Sequence, residues 1–173
     1  MAATGLPHAL RERLRSLSGI SPPPPRAAES FPGVVYVLRT TFRASNNPAF
    51  EVALHMATLL DVPCTCLAVI EDSFPAAMQS GSITRHPTNR SACFRLEALR
   101  ELQPLFAERG APLYIHVERD GHRQAAAMSL ASKAALVVTD EHYGVEPHAS
   151  ATAQVSRTGV PVWLVRAACP GYM

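Results

Sequence analysis

The sequence predicts an α/β protein, a single doubly wound sheet of five parallel strands with helices on both faces. Three observations carry that expectation. Short apolar, β-branched runs recur along the chain, and continuous rather than alternating apolarity is what a strand buried on both faces requires. Between them lie stretches whose apolar residues repeat every three or four positions, as in a helix that presents one face to a core. Strand and helix alternate with mostly short joints, and right-handed crossovers then make neighbouring strands parallel.

The leading 32 residues stand apart. They carry the arginine-bearing run Leu10-Arg11-Glu12-Arg13-Leu14-Arg15 and then four consecutive prolines, Pro22 to Pro25. Such a segment cannot be a core helix or a central strand. It reads as a mobile leader ending in a semi-extended linker, with the domain occupying residues 33–170. The first strand, 34–38, is Val-Val-Tyr-Val-Leu. Asn47 is placed to cap a helix with Pro48 at its first position, and Phe50, Ala53, Leu54, Ala57 and Leu60 form its buried stripe. Residues 62–70 give a second strand, followed by a long loop over 71–88. A helix from about residue 89 carries Leu96, Leu99, Leu102 and Phe106 on one face. Pro104 should kink or restart it, and Gly110 should end it. A third strand over 111–117, an alanine-rich helix over 123–132, a fourth strand over 135–139, a weak helix over 147–156 and a fifth strand over 160–165 complete the pattern.

Composition narrows the function classes. The 173 residues are 47% hydrophobic and 17% charged, enough apolar surface for one packed core. No apolar stretch approaches the roughly 20 residues that span a bilayer. The net charge is +2, with acids interleaved among the arginines, so direct nucleic-acid binding gains no support. Four cysteines without a secretory leader point to a reducing intracellular compartment. Cys64 and Cys66 share one face of a strand, a spacing open to a soft metal but more ordinary for small buried side chains.

In a doubly wound sheet, ligands bind beyond the carboxyl ends of the strands where strand order reverses. The loops expected there bring together Arg39, Arg43 and Asn47 after the first strand, Asp72 after the second, and Thr139 and Asp140 at the end of the fourth. No glycine-rich phosphate loop follows any strand, and no serine elbow is present. The arginines can clamp an anion or pair with Asp72 or Asp140 as a structural bridge. The adjacent carboxylates Asp140 and Glu141 can do acid–base work, although orienting a loop is the commoner use of such a pair.

At this loop the chain resembles a known family. The run from Val35 to Phe50, with Arg39, Arg43, Asn47, Pro48 and Ala49 in register, looks like the opening of the photolyase and cryptochrome α/β domain. Thr40, Thr41 and Asn46 stand where that family has an arginine and two aspartates. The similarity continues through Asp61-Val62-Pro63 and Val137-Val138-Thr139-Asp140. The stretch from Arg90 to Leu99 is similar to a helix of class II cyclobutane-dimer photolyases, and Arg11 to Arg15 to their arginine-bearing extension.

The resemblance implies a Rossmann-like domain that holds an antenna chromophore, a deazaflavin or folate, and passes excitation to FAD in a following all-helical domain. That domain would begin where this chain stops, at Met173, and Trp163 is its sole tryptophan. FAD is therefore not expected on this chain, nor is repair by it alone. The expected partner is a helical FAD-binding domain on another chain, or a second copy. Two other classes compete: a nucleotide-binding module of the universal-stress-protein kind, and an interaction domain without chromophore.

Overall fold

The computed structural model describes residues 5–23, 33–70, 89–118, 125–141, 152–153 and 155–166. In chain order the elements are α1 (His8–Arg11), β1 (Leu14–Ser16), β2 (Val34–Leu38), α2 (Pro48–Leu60), β3 (Cys64–Ile70), α3 (Asn89–Glu108), β4 (Leu113–Val117), α4 (Ala126–Ala131), β5 (Leu136–Asp140) and β6 (Val162–Val165). They form one sheet in the order β1-β6-β5-β2-β3-β4. The five strands from β2 to β6 are parallel, as expected.

The sixth strand is a correction to the five-stranded expectation. β1 lies within the stretch read as a leader and pairs antiparallel with β6, Leu14 opposite Val165 and Ser16 opposite Trp163. Its strand state comes from that partner rather than from local sequence, since three residues are too few to show a period. Leu6, ahead of it, is buried in the main core. Pro24 and Pro25 lie outside the described residues, as does the loop expected over 71–88. Most of the helix expected over 147–156 does too; residues 152, 153, 155 and 156 are helical.

Every residue of β2 and β5 is buried, because layers cover both faces of these central strands. Tyr36, Leu38, Cys66 and Val138 face α2 and α3, where Phe50 stacks on Phe106 with ring centroids 4.1 Å apart. Val35, Val37, Val137 and Val162 face a smaller cluster with Ala131, Val155 and Val160. Cys64 and Cys66 are both buried. The hydrogen bond with Cys64, and then burial, push the Cys66 thiol well above its ordinary range.

Two backbone positions set the entry to this layer. Gly33 has φ +137, and a side chain there would meet Pro63 O at 2.2 Å. That carbonyl accepts from Val34 N at 2.9 Å, the bond that starts β2 beside β3. Gly110, at φ +75, ends α3 as expected. The helix runs unbroken past Pro104 instead of restarting there. Arg100, whose carbonyl loses its donor to the proline, is exposed, so water can take the donor's place.

Candidate functional site at the strand-order reversal

The order of the parallel strands reverses between β2 and β5, so the chain leaves their carboxyl ends in opposite directions. Asp140 closes β5 and reaches across to the turn that follows β2. Its Oδ2 accepts from three successive backbone amides, Arg39 N at 3.1 Å, Thr40 N at 3.0 Å and Thr41 N at 3.2 Å. The Thr40 hydroxyl adds a donor at 3.3 Å. Oδ1 accepts from the Tyr36 hydroxyl at 2.8 Å. Successive amides facing one point make an anion nest, and here the chain's own carboxylate fills it.

Tyr36 is wholly buried. Burial first, and the Asp140 charge second, hold its phenol well above the usual tyrosine range. Its oxygen also accepts from Asn47 Nδ2 at 3.1 Å. The same amide donates to Arg43 O at 3.0 Å and Thr41 O at 3.2 Å, while Asn47 Oδ1 caps α2 through Phe50 N at 3.1 Å. One buried network therefore ties β2, β5, the loop between β2 and α2, and the start of α2.

Four of the six expected residues, Arg39, Asn47, Thr139 and Asp140, have their side chains at this crest, each with its own use. Asp140 and Asn47 direct their polar atoms into the network, and the Thr139 hydroxyl donates to Val37 O at 2.8 Å. Asp140 and Asn47 thereby position the loop, and Thr139 ties β5 to β2. Arg39 is 6% exposed and lines a small cavity with Val37, Val137, Thr139, Thr152, Val155 and Val162. At about 10 Å³ it holds roughly one water. Arg43 is exposed and borders a different groove, of about 610 Å³, between its loop and α3. There Arg109 clasps Glu51 with both nitrogens, at 2.7 and 2.9 Å, and its Nη1 donates to Ala44 O at 2.9 Å. The two arginines thus do not share one pocket. Asp72 lies outside the described residues.

Tyr36, Thr40 and Thr41 were not among the expected site residues. A tyrosine within an otherwise aliphatic strand is the signal that pointed to the first, since a buried phenol needs a partner. The threonines act mainly through backbone amides, which no residue type announces. Glu141 takes no part in a carboxylate pair with Asp140. It accepts from Arg15 and Arg166 at 3.1 Å each, fastening β1 to the ends of β5 and β6. Among the described residues no group of three or more His, Cys, Asp or Glu side chains is placed to hold a metal ion. No described helix is long and apolar enough to cross a membrane.

A parallel sheet reversing at its centre, with its strand-end loop drawn tight there, defines the doubly wound, Rossmann-like class. The chain belongs to the DNA photolyase family, whose model matches residues 34–169. That span starts at β2 and takes in every parallel strand. Solved structures similar to this chain include a universal stress protein from Archaeoglobus fulgidus, 12% identical over 77% of this chain and 92% of that one, with a TM-score of 0.48. The structure of the universal stress protein from Archaeoglobus fulgidus in complex with dAMP is 18% identical over 78% and 97%, with a TM-score of 0.42. A universal stress family protein from Burkholderia pseudomallei is 18% identical over 76% and 94%, with a TM-score of 0.44. No curated protein matches the chain.

Proposed function

We propose that this photolyase-family α/β domain holds a planar antenna chromophore, a deazaflavin or folate, across the carboxyl ends of β2 and β5. In this reading it serves light-driven DNA repair of the class II kind, with FAD carried by a separate helical domain. The observation that carries the reading is Arg39, a guanidinium held almost wholly buried beside a valine wall at the strand-order reversal. A cation against apolar walls suits a planar ring that carries an anionic edge. The enclosed space is far too small for such a ring, so the ligand lies over the cavity mouth with Arg39 and Thr139 beneath it. When bound, the chromophore would supply light absorption; the chain's own residues would orient it and shield it from water.

The test is a fluorescence and absorbance titration of the purified chain with a deazaflavin, a reduced folate, FMN and ATP. Saturable binding of one antenna compound is expected, weakened about tenfold or more by Arg39→Ala, in line with the loss of a buried charged hydrogen bond. Binding of ATP with no response to the antenna compounds would assign the site to a nucleotide instead.

A further inference from the structure

The two edges of the sheet are built differently. β1 is three residues long and bears Arg15, whereas β4 is Leu-Tyr-Ile-His-Val, with neither charge nor proline along it. Edge strands are normally shortened, charged or covered, because a row of open amides and carbonyls attracts another strand. Pairing with β3 determines which groups on β4 are open. Pro112 O accepts from Cys66 N at one end and Glu118 N donates to Ile70 O at the other, both at 2.9 Å. Even-numbered residues therefore bond inward, and the main chains of Leu113, Ile115 and Val117 point outward. Gln103 on α3 caps Leu113 O at 2.9 Å. Among the described residues nothing bonds the outward main-chain groups of Ile115 or Val117.

The side chains beside this edge are also unfinished. Tyr114 is 57% exposed, and His116 Nε2 is buried with no hydrogen-bond partner among the described residues. A groove of about 640 Å³ follows the edge, lined on α3 by Leu96, Glu97 and Arg100. Glu97 and Arg100 are exposed, and neither forms an ion pair among the described residues. The Gln103 contact sets helix against strand, and the two run in opposite directions. With rises of about 1.5 Å per helical and 3.3 Å per strand residue, Arg100 stands about 4.5 Å along from Leu113, Ile115 about 6.6 Å and Glu97 about 9 Å. Ile115 lies midway between the two charges.

We propose that two copies of this chain join by antiparallel pairing of their β4 edges about a two-fold axis at Ile115. The axis brings Glu97 of each copy level with Arg100 of the other, so the charges are self-complementary as an isologous interface requires. The two Ile115 residues exchange amide and carbonyl bonds, and Tyr114 of one copy stands directly across from His116 of the other. The sheet then runs on through both copies. The proposal does not depend on the chromophore reading, since β4 lies at the sheet's edge and the strand-order reversal at its centre.

Sedimentation equilibrium of the full chain tests it. Twice the 18.6 kDa chain mass is expected at high concentration, falling reversibly on dilution. Glu97→Arg or Arg100→Glu alone should raise the dimer dissociation constant about tenfold or more, because each replaces two attractions with two repulsions. The double exchange should restore it to within about threefold. Ile115→Pro, which removes the outward amide along with a partly buried side chain, should give a monomer with an unchanged circular dichroism spectrum; if that variant misfolds, the charge exchange decides alone. A monomer at every concentration overturns the proposal. So does a dimer indifferent to the charge changes, or an edge that pairs only with an added extended peptide.

Discussion

Asp140 shows how a residue's role follows from its surroundings rather than from its type. A carboxylate at a strand end suggests chemistry, yet this one accepts from three backbone amides and two hydroxyls while only 2% exposed. Removing it strands several buried donors at once, so Asp140→Ala should lower the free energy of unfolding by about 3 kcal/mol in a urea titration. Its partner Tyr36 gives a prediction in pH. The folded-state phenol lies above its unfolded value of 10.0, so above that pH the unfolded chain releases a proton that the folded chain keeps. Stability is complete below about pH 10 and falls as pH rises beyond it. Tyr36→Phe should flatten that alkaline limb in melts taken across the range. Cys66 belongs at this scale as well: its raised, buried thiol, and Cys64 beside it, should resist a thiol reagent in the native state and react only on unfolding, whereas the exposed Cys93 reacts at once. Asn47 was legible as the cap of α2, whereas its bonds to Tyr36 and to the carbonyls of Thr41 and Arg43 were not. Thr139 was legible as a strand-end residue, but its bond to Val37 O joins groups far apart in sequence.

Elements were legible wherever they carried their own signal. The cap and first-turn proline of α2 were visible because both act within a few residues. The five parallel strands were visible because burial on two faces demands unbroken apolar runs. β1 was not, because its three residues become a strand only against β6. Their edge position and the Arg15–Glu141–Arg166 link make them a cover for β6, and this has a consequence. Deleting residues 1–20 should expose the apolar edge of β6, lower the melting temperature and promote concentration-dependent light scattering. Unchanged melting and scattering would show that β1 contributes nothing. Of the two effects expected of Pro104, a restart of α3 does not occur, since the carbonyl left without a donor belongs to an exposed residue and water can meet it. Gly33 is the opposite case, a residue whose necessity appears only once Pro63 is seen beside it. Gly33→Ala should cost about 2 kcal/mol or more, read by the same urea titration, because backbone rather than a flexible side chain stands in the way.

For the whole molecule, strand order is what converts a list of strands into a place for a ligand. The sequence could show that strands and helices alternate, and the resemblance named the family, but only the order β6-β5-β2-β3-β4 puts the reversal between β2 and β5. The same order puts Arg39 and Thr139 side by side and leaves Arg43 to another groove. Asp140 already fills the anion nest of the Arg39–Thr41 turn, so those backbone amides are not open to a phosphate. Among the described residues the reversal also presents a buried arginine beside a valine wall, the feature on which the proposed chromophore reading rests. The most direct test is the binding titration of the full chain with deazaflavin and folate, run beside Arg39→Ala. Saturable binding, with a spectral shift that the substitution abolishes or weakens about tenfold, is the predicted result. Absence of binding by either compound to the folded chain, or binding indifferent to Arg39, would contradict it.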